Sequence, residues 1–205
     1  MNQERFEKQK AFALEIDKEK NILRQTHLSG NGRRENDAEH AWHMAVLAYL
    51  FQEYANEKID IGRVMIMCLI HDLVEIDAGD TYAYDEEGKK TQKEREEKAA
   101  DRIFGLLPED QKNQFRELFE EFDAYETPDA CYAHAMDNLQ PFLLNDSNHG
   151  SDWKEHQVSI SEILKRQSLT RKGSEELGRY ICDRLEKNVK EGNIIEERSE
   201  SDPRR

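Results

Sequence analysis

An all-α fold is what this sequence predicts, on three observations. Apolar residues recur at helical spacing, most clearly Ile61, Val64, Met65, Cys68 and Leu69. No segment alternates apolar and polar residues between hairpin turns. Proline stands only at positions 108, 128, 141 and 203, so long stretches are free of helix breakers.

The elements follow in order. Residues 4 to 22 or 24 read as a first amphipathic helix with Phe6, Phe12, Ile16 and Leu23 as core contacts. Residues 27–34 carry two glycines among small polar residues and read as a loop. Asn36 or Asp37 caps the next helix, Asn36 having Glu39 three positions on, as in a capping box. That helix is expected to run to about Ala55, with Trp42 packed in the core. Asp60 caps a third helix, the most apolar of the chain and the expected centre of the bundle.

Ile76 to Thr81 interrupts it with polar and flexible residues. Residues 85–98 are nearly all charged or polar, a solvated helix or a lid over whatever lies beside Asp80. Leu106-Leu107-Pro108 ends the following element, and residues 111–125 are again helical through Phe115, Leu118, Phe119 and Phe122. Thr127-Pro128 opens a helix that ends before Pro141. Residues 152–166 and 174–189 supply two closing helices. One domain over residues 1–190 is expected, with a disordered tail at 191–205.

Composition narrows the partners. The net charge is −14, from 44 acidic and 30 basic residues, with no dense Lys/Arg block. Polymeric nucleic acid and membranes are therefore not expected partners, whereas a small phosphorylated substrate is compatible with an acidic surface if a metal and one or two arginines dominate a pocket. The three cysteines, Cys68, Cys131 and Cys182, read as reduced thiols. With no signal peptide and no apolar run near the ~20 residues of a membrane span, a cytoplasmic setting is expected.

The chemistry concentrates at His71-Asp72, which ends the apolar run from Val64 to Ile70. Burial of an unpaired imidazole and carboxylate is costly, so they either ligate a metal or form a buried hydrogen-bonded pair. In a helix Glu75 rises over the same face, and Asp80 follows from the loop. Such crowded carboxylates would repel one another without a cation. His40 and Asp137 are similarly out of place in apolar surroundings. His40, His71, Asp72 and Asp137 together would give two nitrogens and two oxygens for one divalent ion, Mn²⁺, Co²⁺, Fe²⁺, Zn²⁺ or Mg²⁺.

Ala38-Glu-His-Ala-Trp42, His71-Asp-Leu-Val-Glu75, Gly79-Asp80 and Thr127-Pro-Asp-Ala130 with Asp137, in this order, resemble the HD-domain metal-dependent phosphohydrolases. The likeness is nearest to the branch of bacterial 5′-deoxynucleotidases. It implies an HD-type helical bundle, a homodimer, His40, His71, Asp72 and Asp137 as metal ligands, and Glu75 as the catalytic glutamate. Asp80 is implied as a second acidic group, either protonating the leaving oxygen or anchoring the sugar. Arg24 and Arg34 match arginines of the family and suit phosphate contacts through bidentate guanidinium geometry. Ala41, His134 and Asn138 depart from the commoner residues there; none removes a ligand. The implied reaction is hydrolysis of a (deoxy)nucleoside 5′-monophosphate to nucleoside and phosphate. A nucleoside triphosphate or other small phosphoester is the alternative substrate, and a noncatalytic helical module the alternative role.

Overall fold

The computed structural model describes residues 2–194. Its elements are α1 (Gln3–Glu15), a 3-10 turn (Ile16–Asn21), β1 (Leu23–His27), β2 (Arg34–Asn36), α2 (Asp37–Leu50), a second 3-10 turn (Gln52–Tyr54), α3 (Ile61–Ile70) and α4 (Glu75–Ala78). There follow α5 (Glu86–Phe104), α6 (Glu109–Ala124), α7 (Pro128–Ser147), α8 (Ser151–Glu155), α9 (Ile160–Gln167), α10 (Thr170–Gly173) and α11 (Glu175–Lys190). The fold is a helical bundle with one small sheet.

Local chemistry sets the helix starts. The Asn36 side chain accepts from the Glu39 amide while Glu39 bonds back to the Asn36 amide, completing the capping box. Asp60 caps α3, and Thr127 caps α7 with Pro128 in its first turn.

The helix α7 lies at the centre, packed by α2, α3, α6, α10 and α11. One apolar core joins Met44, Met67, Tyr132, Met136, Leu139 and Ile181. A second joins Phe12, Ile70, Leu73, Ala100, Phe104 and Phe119. Met67 and Cys68 belong to the first core and Ile70 and Leu73 to the second, so His71 and Asp72 sit at the seam between them. At Gly173 a Cβ would come within 2.1 Å of the Cys131 carbonyl oxygen, so only glycine lets α10 approach α7 so closely.

Several expectations are corrected. The chain between Leu23 and Asn36 is an antiparallel hairpin pairing Leu23 with Asn36 and His27 with Arg34. Its strands are too short and polar to alternate visibly; they are held from outside, the His27 amide donating to Asp152 and the Asn31 amide to Asn148. The first helix stops at Glu15, leaving Phe6 and Leu23 exposed while Phe12 is buried. Helix α2 ends at Leu50, short of Ala55, and Trp42 is 62% exposed, with Val46, Tyr49 and Leu50 also exposed further along the helix.

Helix α7 runs through Pro141 to Ser147. The proline removes the amide that would bond the carbonyl of Asp137, and burial of the helix on several sides carries it across that gap. Residues 152–166 break between α8 and α9, where Gln157 has a φ of 51°. The charged stretch is the start of the continuous helix α5, capped by Asp85. Beyond α11, Asn193 and Ile194 are buried against the body. Residues 195–205, the rest of the expected tail, lie outside the described residues.

Candidate metal centre and its pocket

The helix α3 ends at Ile70, and residues 71–74 form tight turns leading into α4. The Leu73 amide bonds to Ile70 and the Glu75 amide to Asp72, both three residues back. This tighter winding still brings His71, Asp72 and Glu75 together, all buried. Gly79, with φ of 75°, then turns the chain so that Asp80 lines the cavity.

His40 comes from α2 and Asp137 from α7. Nε2 of His40 lies 3.3 Å from Asp137 Oδ1, and Nε2 of His71 lies 3.0 Å from Asp72 Oδ2 and 3.9 Å from Asp137 Oδ1. The ligand atoms of His40, His71 and Asp72 fall within 4.8 Å of one another, as do those of Asp37, Asp72 and Glu75. The fold thus gathers all four expected ligands.

Hydrogen bonds behind the histidines aim both rings. Gln140, wholly buried, donates through Nε2 to Glu35 Oε2 at 2.9 Å and to His43 Nδ1 at 3.1 Å. Its Oε1 must then accept, and Nδ1 of His40 stands 2.8 Å away as the donor. His71 Nδ1 donates to the Cys68 carbonyl at 3.0 Å. In both rings Nδ1 is spent on a hydrogen bond and Nε2 faces carboxylates, the orientation in which histidine ligates a metal. Gln140 and Glu35 were missed from sequence; only their polarity in otherwise apolar or capping segments hinted at them.

The electrostatics are those of a site short of positive charge. Glu19 Oε1, Glu35 Oε1, Asp37 Oδ2 and Glu75 Oε2 are buried and without hydrogen-bond partners. Burial, then the charges of Asp72 and Asp37, pushes Glu75 up to about 12. Burial pushes Asp37 and Glu35 up to about 7 and Glu19 up to about 8. His40 is lowered to about 4 by burial. At His71 burial acts downward, but the Asp72 carboxylate outweighs it and holds the ring up at about 9. A divalent ion among these groups would supply the missing charge, and the nitrogen and oxygen donors fit it.

Arg24, on β1, donates through Nη1 to Asp72 Oδ2 at 2.8 Å and Asp37 Oδ1 at 3.3 Å, while its buried Nε has no hydrogen-bond partner. Arg34 lies outside the cavity, 3.6 Å from Glu155. His134 also lines the cavity, stacked on Phe122 at 3.9 Å and donating Nε2–H to the Phe122 carbonyl; burial lowers its pKa and keeps it neutral. The cavity measures about 550 Å³. Its floor holds Asp72, Glu75, Asp80 and Asp137, and its wall adds Tyr82, Tyr84, Trp153 and Arg166. Arg166 carried no signal in the sequence beyond ending an amphipathic segment.

A helical bundle that brings two histidines and two aspartates together, the aspartates lining a cavity, has the build of a metal-dependent hydrolase. The family model described as HD domain matches residues 16–178, and the chain belongs to the HD-domain family. It is similar to the crystal structure of a predicted metal-dependent phosphohydrolase from Magnetospirillum magnetotacticum MS-1, at 48% identity and TM-score 0.89 over 93% of this chain and 96% of that one. It is 30% identical to 5′-deoxynucleotidase HDDC2 of Homo sapiens over 111 residues, 54% of this chain and 53% of that protein. The chain thus spans about half the length of the curated relatives it matches. An HD-domain phosphohydrolase from Listeria innocua, at 16% identity and TM-score 0.62 over 90% of this chain and 91% of that one, shares the fold.

Proposed function

We propose that this protein is a metal-dependent phosphomonoesterase acting on (deoxy)nucleoside 5′-monophosphates. The observation that carries the reading is the pair of histidines whose Nδ1 atoms are bonded away and whose Nε2 atoms face Asp72 and Asp137 on the floor of a cavity of about 550 Å³. That volume suits a nucleotide-sized ligand. Kinship with the Magnetospirillum phosphohydrolase and with HDDC2 supports the phosphate and nucleotide parts respectively.

His40, His71, Asp72 and Asp137 would hold the ion. When bound it supplies a Lewis acid for the phosphoryl oxygens and activates water. Burial beside Asp72 holds the proton on Glu75 in the metal-free protein; with the ion's charge offsetting that burial, Glu75 would orient the attacking water or take a proton from it. Asp80 faces the same cavity, where it can protonate the leaving 5′-oxygen or bond the sugar. Arg24 offsets the charge of Asp72 and Asp37 and helps keep those carboxylates together.

The wall also carries Lys89 and Lys165, which favours a polyphosphate ester as the second reading. A screen of nucleoside mono- and triphosphates against Mn²⁺, Co²⁺, Mg²⁺ and Zn²⁺ separates the two by product. Inorganic phosphate from monophosphates is expected; pyrophosphate or triphosphate as product selects the second reading, and no turnover at all removes both.

A homodimer is part of the proposal. Trp42, Val46, Tyr49 and Leu50 form one exposed apolar stripe along α2, with Ile66 and Leu69 exposed on the neighbouring α3. In a chain with 36% charged residues such a stripe marks a contact surface. No helix among the described residues is long and apolar enough to cross a membrane. The cysteines are free, in keeping with a reducing cytoplasmic setting.

A further inference from the structure

We propose that Arg166 binds the substrate phosphate, in the place the sequence suggested for Arg34. The inference rests on the phosphohydrolase reading and assigns a residue within it.

The arginines near the site differ in what already occupies them. Arg24 is paired through Nη1 with two carboxylates, Asp72 and Asp37, at hydrogen-bond length, leaving Nε without a partner. Arg95 is turned to the Ala78 carbonyl, the Thr81 hydroxyl and the Gly88 carbonyl, where it straps the loop after α4. Arg34 pairs with Glu155 away from the cavity. The ion pair that Arg166 makes among the described residues is to Asp137 Oδ2 at 3.7 Å, beyond hydrogen-bond length. Its side chain lines the cavity and is 23% exposed. Arg166 therefore has donors to offer.

Its position relative to the ion site is set by one carboxylate. Asp137 turns Oδ1 toward His40 at 3.3 Å and His71 at 3.9 Å, and Oδ2 toward Arg166. A phosphate held beside His40, His71 and Asp137 would lie near the Arg166 guanidinium, whose planar fork of donors suits two phosphate oxygens. The backbone beneath Arg166 is fixed. Ser159 and Glu162 form a capping box at the start of α9, and at its end Gln167 Nε2 donates to the Asn138 carbonyl at 3.1 Å and Oε1 accepts from Thr170 at 2.9 Å. Arg166 is thereby held beside Asp137, the neighbour of Asn138, before any ligand arrives. Beside it, His134, whose pKa burial lowers, and the amide Asn138 bring no positive charge, while Lys165 and Lys89 line the same cavity.

The test is binding of inorganic phosphate to the Mn²⁺-loaded protein by calorimetry, with bound Mn²⁺ measured in parallel. Arg166→Gln is expected to weaken phosphate binding about tenfold or more, with Mn²⁺ content unchanged, and Arg166→Lys to recover part of the loss. Arg33→Gln, a change to an exposed side chain paired with Glu39, is expected to bind phosphate as the parent does. Phosphate affinity unchanged in Arg166→Gln overturns this assignment alone and leaves the phosphohydrolase reading standing. A loss matched by loss of Mn²⁺ also overturns it, since Arg166 would then act by supporting Asp137. If the Mn²⁺-loaded parent binds no phosphate, both the assignment and the reading beneath it fall.

Discussion

Gln140 and His40, a hundred residues apart in sequence, meet at 2.8 Å, and the amide fixes which nitrogen of the imidazole carries the proton. Because the Gln140 Nε2 group is spent on Glu35 and His43, its oxygen can only accept. Gln140→Leu removes that constraint while keeping an apolar-compatible volume. The expected result is a loss of about 10- to 100-fold in divalent-metal affinity with helical content preserved by circular dichroism. Parent-like affinity, measured by competition with a chelator, would show that the ring needs no support.

His71 stands at the seam of the two cores and is proposed as a ligand. His71→Ala is expected to abolish stoichiometric metal binding and to remove the rise in melting temperature that added Mn²⁺ gives the parent, since a ligand that binds only the folded state stabilises it. Equal metal content in mutant and parent, by elemental analysis, would count against the ligand set.

Glu75→Gln keeps the shape of the side chain and removes its capacity to accept a proton. Turnover is expected to fall about a hundred- to ten-thousand-fold while metal content stays at the parental level. If metal is lost along with activity, Glu75 belongs to the ion's own ligands.

Glu19 gives a pH signature. Burial, reinforced by the Asp72 charge, raises its carboxyl to about 8 from an ordinary 4.5. The folded state therefore binds its proton more tightly than the unfolded chain does. Stability tied to this group is full below the unfolded value and is lost as pH rises toward and through 8. For the metal-free protein, Glu19→Gln is expected to raise the melting temperature at pH 9 and to change it little at pH 5. An equal shift at both pH values would mean that the titration is not responsible.

Trp42→Lys combined with Tyr49→Lys places charge in the exposed stripe of α2. If a second copy covers that stripe, the double variant is expected to run as a monomer in light scattering with its metal site intact. A parent that is itself monomeric at high concentration removes the proposal.

The legible parts of this chain were those written in local pattern. The helix starts at Asn36, Asp60 and Thr127 depend on a side chain reaching an amide three residues away, so sequence carries them in full. His40, His71, Asp72 and Asp137 were legible because each interrupts an apolar periodicity, and burial makes such an interruption expensive unless it has a purpose. Even the sharper turn at residues 71–74 left the spacing of Glu75 to His71 usable.

What the sequence could not carry was partnership between distant segments. Trp42 has the spacing of a core residue, but whether anything covers its face depends on where the other helices pack. The strands of the hairpin alternate too little to be seen and owe their place to Asp152 and Asn148, more than a hundred residues away. Arg34 and Arg166 are indistinguishable as isolated arginines. The fold turns one toward Glu155 and the other toward Asp137, because α9 is pinned to α7 through Gln167 while the hairpin end runs over the surface. Sequence by itself determined which residues would be costly to bury without an ion. Tertiary structure alone decided which nitrogen each histidine offers and which cation reaches the cavity, since both are set by hydrogen bonds closed across the packed core.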